Sequence, residues 1–416
     1  MIQIPAPSTL QPQIHPFDAS RRLLLLRSDA TELVRVDFLF EAGSSYQPQP
    51  LCAAAANKLM TVATQKMDAA RLAEYLDYRG AIVETSSDVL QTSLTVYTLR
   101  RFAEEVLVVV GDMIYHPQFG SDDFSLWCKK KSVELATLEG RSQHIARRLF
   151  YQTLFGTEHP LGRYAIAADA ARLEVDTVRD FHKRYYVDGG CQVILSGHID
   201  DGLIEHIAGI WHKGTTTVTH DKNLAKSPIA GNLHISAAIT DSVQTSLRIG
   251  RQLPFDWSHP DYAPFMILTT LLGGYFGSRL MSNLREDKGY TYGIQARTQI
   301  YRGCIVFYIA ADVAAGKADA AEQEIVGELR RLMEEKVEAD ELLLVKTVLA
   351  ADFVRSIDGI FERAARLCDM HATDVTEQLT QNLCKAIETT TAVQLQELAQ
   401  RLLNPETMVY CRAGAE

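Results

Sequence analysis

Residues 33–44, LVRVDFLFEAGS, alternate apolar and polar side chains like a half-buried strand, and residues 51–66, LCAAAANKLMTVATQK, follow as an alanine-rich helix. A second helix over Asp68 to Tyr78 stops at Gly80, a residue suited to the left-handed turn that ends helices, before the strand AIVETSS. The same order returns later in the chain. Strand SVQTSLRIGR (242–251) leads to helix YAPFMILTTLL (262–272), a shorter helix SRLMSNLRE, and Gly289 opening the strand TYGIQART. Gly80 and Gly289 are 209 residues apart, and so are Leu33 and Ser242. One register therefore aligns both stretches, as an internal duplication does.

The parallel extends on both sides. Strands are expected at LQTSLTVYTL and CIVFYIAA, and amphipathic helices at Phe102 to Ile114 and Lys317 to Met333. Further helices are read at Asp122 to Leu138 and Ile145 to Leu154, answered by Ala339 to Ile357 and Ile360 to Met370. Each half closes with a helix and an apolar strand, TVRDFHKRYY with CQVILSGHI in the first and AVQLQELAQRLL with TMVYCRA in the second. Residues 213–232, KGTTTVTHDKNLAKSPIAGN, lack apolar periodicity and are rich in Thr, Gly, Ser and Pro, as an exposed linker should be. The expected organisation is α+β, with halves at 1–212 and 233–416 joined by that linker.

Composition narrows the function classes. With 416 residues, 47% hydrophobic and 23% charged, the chain has the balance of a globular protein of more than one domain. Its formal charge of -10 and the lack of a basic run make nucleic acid a poor partner. The stretch Tyr262 to Ser278 is interrupted by Thr269, Thr270, Gly273 and Gly274 and falls short of the ~20 apolar residues of a membrane span; it reads as a buried helix and its exit turn. The first residues show neither a basic nor an apolar signal region, and seven cysteines without a C-x-x-C spacing argue against a disulfide framework. The expected compartment is the cytoplasm, or the periplasm if a signal has been removed.

Segment 272–294, LGGYFGSRLMSNLREDKGYTYGI, closely resembles the second-half motif of the M16 (pitrilysin or insulinase type) zinc peptidases: a glycine-bounded turn, a helix ending in Arg, and a Tyr seven residues on. Arg285 and Tyr292 occupy those places. Weaker echoes lie at RLAEYLDYRGA (71–81), FGTEHPLGRYAI (155–166) and VRDFHKRYYVDGGCQVILSGHID, so the likeness spans nearly the whole chain. The resemblance implies two homologous α/β roll halves, each a mostly antiparallel mixed sheet with helices packed on it. They would face each other across a chamber that takes unfolded peptides, usually closed by a second half-pair on another chain.

Active members of that family carry an inverted His-x-x-Glu-His motif on the first long helix, with a further Glu some 75 residues downstream. Positions i and i+4 share a helical face and can grip one ion, while a Glu at i+3 can take a proton from metal-bound water. In this register those places hold Ala54, Asn57 and Lys58. A methyl has no lone pair, an amide is no base near neutral pH, and an ammonium repels zinc. No His lies between His15 and His116 and no Glu between Glu41 and Glu74, so a shifted register does not restore the motif. Glu134 stands near the distance of the downstream ligand, but on a charged helix it reads as a solvated residue. The other histidines, among them His144, His159, His182, His198, His206 and His212, show no ligand spacing. Gly273, Gly274 and Gly277 lack the G-K-[ST] ending of a phosphate loop, and no G-x-S-x-G motif marks a serine nucleophile.

Singly, an Arg ending a helix complements the dipole and a Tyr in a strand packs. Together, at this spacing, the resemblance implies that Arg285 and Tyr292 donate hydrogen bonds to substrate across the chamber from zinc; both stay protonated at neutral pH. The expectation is a zinc-free subunit of a heteromeric M16-type peptidase, binding no metal itself. A homologous chain with an intact zinc motif would supply the zinc, and unfolded peptides would be the substrate. The competing expectations are a catalytically inert scaffold, like the peptidase-like core subunits of respiratory complexes, and a homodimer that binds extended peptides by strand addition.

Overall fold

The computed structural model describes residues 11–16, 22–211, 223–224 and 231–415. Of the expected linker at 213–232, all but Asn223, Leu224, Gly231 and Asn232 lies outside the described residues. The first half runs β1 (Gln13–Pro16), β2 (Arg22–Arg27), β3 (Leu33–Phe40), α1 (Cys52–Leu59), α2 (Ala69–Tyr78), β4 (Ile82–Ser87), β5 (Thr92–Leu99) and α3 (Arg100–Tyr115). It continues through α4 (Ser121–Glu139), α5 (Ser142–Phe155), α6 (Ala167–Arg172), α7 (Val175–His182), β6 (Gln192–Gly197) and α8 (Asp201–Ile210). The second half runs β7 (Leu233–Ala238), β8 (Gln244–Gln252), α9 (Tyr262–Gly273), β9 (Thr291–Tyr301), β10 (Cys304–Ala314) and α10 (Ala318–Glu334). It ends with α11 (Ala339–Ser356), α12 (Ile360–Thr373), α13 (Glu377–Thr389), α14 (Ala392–Leu402) and β11 (Val409–Gly414).

The duplication is visible in the sheets. Their strand orders are β1-β2-β6-β3-β5-β4 and β7-β11-β8-β10-β9. In each, one pair is parallel, β2 with β6 and β7 with β11, and the other pairs are antiparallel. Gly80 and Gly289 both take positive φ, +59° and +64°, the left-handed conformation that a side chain would strain. Asp68 begins α2 by accepting the Arg71 N–H, which meets one of the orphan donors of a helix start. Each sheet buries one face under its own helices, around Val36, Phe40, Leu94 and Val110 in the first half and Ile249, Phe265, Leu271 and Phe307 in the second.

The opposite faces are covered by exchange. Helix α5 lies on β8 and β11, where Phe150, Leu154 and Phe155 meet Val306, Val409 and Cys411. Helix α12 reciprocates, packing Ala364 and Leu367 on Leu26, Leu39 and Ile194. Polar contacts close the seam: Arg302 donates to the carbonyls of His371 and Ala372, and the ring of His371 meets Gln91 at 2.6 Å. Along α5 and α12 the two halves touch, because a two-faced apolar sheet needs cover on both sides.

Two local expectations also change. The alanine-rich helix ends at Leu59 rather than near residue 66, because the chain tightens there: Thr61 N–H bonds to Lys58 and Val62 N–H to Leu59. Thr64 then bridges to Pro117. The helix read at SRLMSNLRE widens into a π-helical turn over Met281–Asp287. Strands β1, β2 and β7 and helices α6, α8 and α13 are additions to the sequence reading.

Candidate functional site

The segment bearing Arg285 and Tyr292 is held by its small and polar residues. Gly273 passes so close to β9 that an added Cβ would lie 2.5 Å from the Ala296 nitrogen, which is why the helix can leave the sheet here only through glycine. Met281 and Leu284 anchor the following turn in the core. Arg279 grips Glu341 with two bonds of 2.9 and 2.8 Å, and Asn283 donates to Glu324 and Glu328. The widened turn leaves Arg285 on its outer side, its guanidinium 4.7 Å from the centroid of Phe276, with no ion pair to it among the described residues. Gly289 reverses the chain, and Thr291 fastens the start of β9 by donating to the Asp312 carbonyl. The next residue, Tyr292, is 88% exposed.

Arg285 and Tyr292 therefore stand on the two arms of one glycine turn, both open to solvent. Arg285 rests against Phe276, also exposed. A cavity of about 380 Å³ opens one residue beyond Tyr292, at Gly293, and neither of the two side chains lines it. Its lining does include Arg248, which the sequence reading passed over because a single Arg within a strand carries no motif.

Helix α1 holds the three positions aligned with the zinc motif. Ala54 is half-buried and Lys58 exposed. Asn57, 2% exposed, uses its amide nitrogen as a donor to the carbonyls of Ser86 at 2.6 Å and Ser93 at 3.3 Å, tying α1 to the β4–β5 hairpin. A methyl, a donating amide and an ammonium do not fit a zinc ion, which needs deprotonated lone-pair donors. Helix α4 does lie beside α1, but Glu134 on it is paired with Lys131 at 2.8 Å. Among the described residues no three His, Cys, Asp or Glu side chains gather as a metal site. His182 is buried, its ring stacked on Tyr186 at 5.0 Å, and burial pushes its pKa down to about 4. The seven cysteines are free; burial pushes the Cys52, Cys304 and Cys411 thiols up to about 12, so none is a ready nucleophile. Among the described residues no helix is long and apolar enough to cross a membrane.

Residues 172–349 match the family model described as the peptidase M16 inactive domain. An uncharacterized zinc protease of Mycobacterium tuberculosis is 23% identical over 363 residues, covering 83% of this chain and 80% of that protein. Among solved structures, a peptidase M16 inactive domain from Pseudomonas fluorescens superposes with a TM-score of 0.85 at 20% identity, covering 97% of this chain and 98% of that one. A protease from Helicobacter pylori gives 0.84 at 16% identity, covering 97% and 100%. Residues 172–349 thus carry the likeness to the M16 inactive domain that the motifs indicated, and the two mixed sheets with packed helices share the fold of that solved domain.

Proposed function

We propose that this chain is the zinc-free subunit of a two-chain M16-type peptidase. In this reading 1–212 carries the degenerate zinc helix and 233–416 the Arg/Tyr motif. A homologous partner brings His-x-x-Glu-His and its zinc, and Arg285 and Tyr292 donate hydrogen bonds to the peptide being cleaved. The observation that carries the reading is the exposure of Tyr292 together with that of Arg285, which has no ion pair among the described residues, on the same glycine turn. A phenol kept for packing would be covered and an arginine kept for the fold would find a carboxylate; instead both present their donors to solvent. Asn57 supports the same division, since the place of the general base is occupied by a residue that holds the helix to its sheet.

The test is a reconstitution with the homologous chain that carries an intact zinc motif, using a fluorogenic peptide. Arg285→Ala and Tyr292→Phe should each lower the rate by about 10²–10³, the usual loss on removing one oxyanion donor. The melting of this chain should barely move, because exposed substitutions stay within about 0.5 kcal/mol. Full activity in both variants would make the pair a surface relic and the chain a scaffold.

A further inference from the structure

The face of the second sheet that receives α5 is only partly covered. Beyond the helix edge the cavity of about 380 Å³ is floored by β8, β10 and β9 and walled by Gln143 at the start of α5. Arg248 lines it, half-buried, with its guanidinium 5.1 Å from the Tyr308 ring centroid. One helical turn on from Gln143, and so on the same side of α5, stands Arg147, near the Tyr151 ring. No carboxylate pairs with either arginine among the described residues. Asp312 is the one acid in the lining, and both its oxygens are already taken by neutral donors, Ser246 Oγ and Gln143 Nε2. His144 beside them has its pKa pushed down by burial and by Arg148 and Arg147, so it adds no positive charge near neutral pH.

The first half treats the matching problem differently. Arg35, also on the face that receives a helix from the other half and also over a tyrosine ring, is clamped by Asp37 through three hydrogen bonds of 2.9 to 3.1 Å. Arg248 lacks that clamp. A guanidinium cannot shed its proton, and half-buried without a counter-ion it is costly to keep. Burial is the largest cause that pushes its pKa down, Arg147 acts in the same direction, and Tyr308, Tyr151 and Asp312 offset only part of it. Within the lining Asp312 balances Arg248, and Arg147, which stands near Arg248 but outside the lining, brings the local balance to one net positive charge on a chain whose formal charge is -10.

We propose that the cavity is an oxyanion-binding site, in which Arg248 takes two oxygens of a carboxylate or phosphate side by side and Arg147 supplies the second positive charge. The fork of N–H donors matches a planar two-oxygen acceptor. Ala310, opposite Arg248 in the β8–β10 register, leaves the floor open for it. The anion has two sources of the same chemistry, an inorganic anion such as phosphate or the carboxylate ending a peptide. Neither Arg285 nor Tyr292 lines the site, and it requires no partner chain.

Calorimetric titration of the full chain at fixed ionic strength tests this, with inorganic phosphate, acetyl-trialanine as the free acid, and acetyl-trialanine amide. Saturable binding of phosphate or of the free acid, with the amide silent, is the expected result, and which of the two binds tells the source. Arg248→Gln should weaken that binding at least tenfold and Arg248→Lys less so. Ala310→Leu, which fills the floor and leaves every charge in place, should weaken it as well, with circular dichroism confirming the fold of each variant. Absence of binding by both anions, equal binding of the amide, or undiminished binding in folded Arg248→Gln would overturn the proposal.

Discussion

Replacing Asn57 by Glu would put a carboxylate on α1 where the resemblance aligns the general base of the M16 peptidases, and the structure says what it would cost. The native amide points two N–H donors at the carbonyls of Ser86 and Ser93 from a position 2% exposed. A carboxylate there offers only acceptors to those two oxygens. Two bonds are lost at roughly 1 kcal/mol each, and a buried charge left without a donor adds about 2 kcal/mol or more. The sum is about 4 kcal/mol at neutral pH, against about 2 kcal/mol for Asn57→Ala, which loses the bonds but buries no charge. For a half of this size roughly 2–4 °C accompanies each kcal/mol, so melting should fall by about 8–16 °C in Asn57→Glu. Acidification supplies the control. The buried Glu has a raised pKa in the folded state, so it destabilises above that pKa, and the gap to Asn57→Ala should narrow as pH falls toward the ordinary carboxylate range. Differential scanning calorimetry at several pH values reads both effects. An Asn57→Glu protein as stable as the parent at pH 7 would refute the view that this residue has been taken over by the fold.

Further outcomes follow from the buried charges. Asp37, fully buried between Arg35 and Thr95, should cost about 3–5 kcal/mol when changed to Ala, since Arg35 is left unpaired; in urea denaturation the double variant Arg35→Met with Asp37→Leu should regain most of that. His182 is neutral in the folded protein down to about pH 4, whereas in the unfolded chain it protonates near its ordinary value of about 6.5. Stability should therefore decline as pH falls through that window, and His182→Phe should flatten this part of the pH profile of unfolding.

The sequence made the duplication legible because it writes the same punctuation twice: glycines that must take positive φ, alternating strands before them and long amphipathic helices after. What it hid was settled at a distance. RLLLLR at 22–27 shows no alternation, yet forms β2 because β6 and the short β1 lie on either side of it. LHISAA at 233–238 is too polar to announce β7, which sits at the margin of its sheet. The sequence makes α1 look longer than it is because Ala53 to Ala56 and Ala63 favour a helix, while the tightening at Thr61 and Val62 ends it at Leu59. At the site, the Arg285 and Tyr292 spacing could be read directly. The widening of the turn that carries Arg285, the role of Asn57 as a tie between helix and hairpin, and the setting of Arg248, with no carboxylate paired to it among the described residues, all depend on residues far away in sequence.

The most direct trial of the half-enzyme account is peptide hydrolysis by the purified chain alone, supplied with zinc. The account predicts a rate no greater than the peptide's own background, and cleavage only once the zinc-bearing homologue is added. Chelator-sensitive turnover by the chain without any second protein would contradict it.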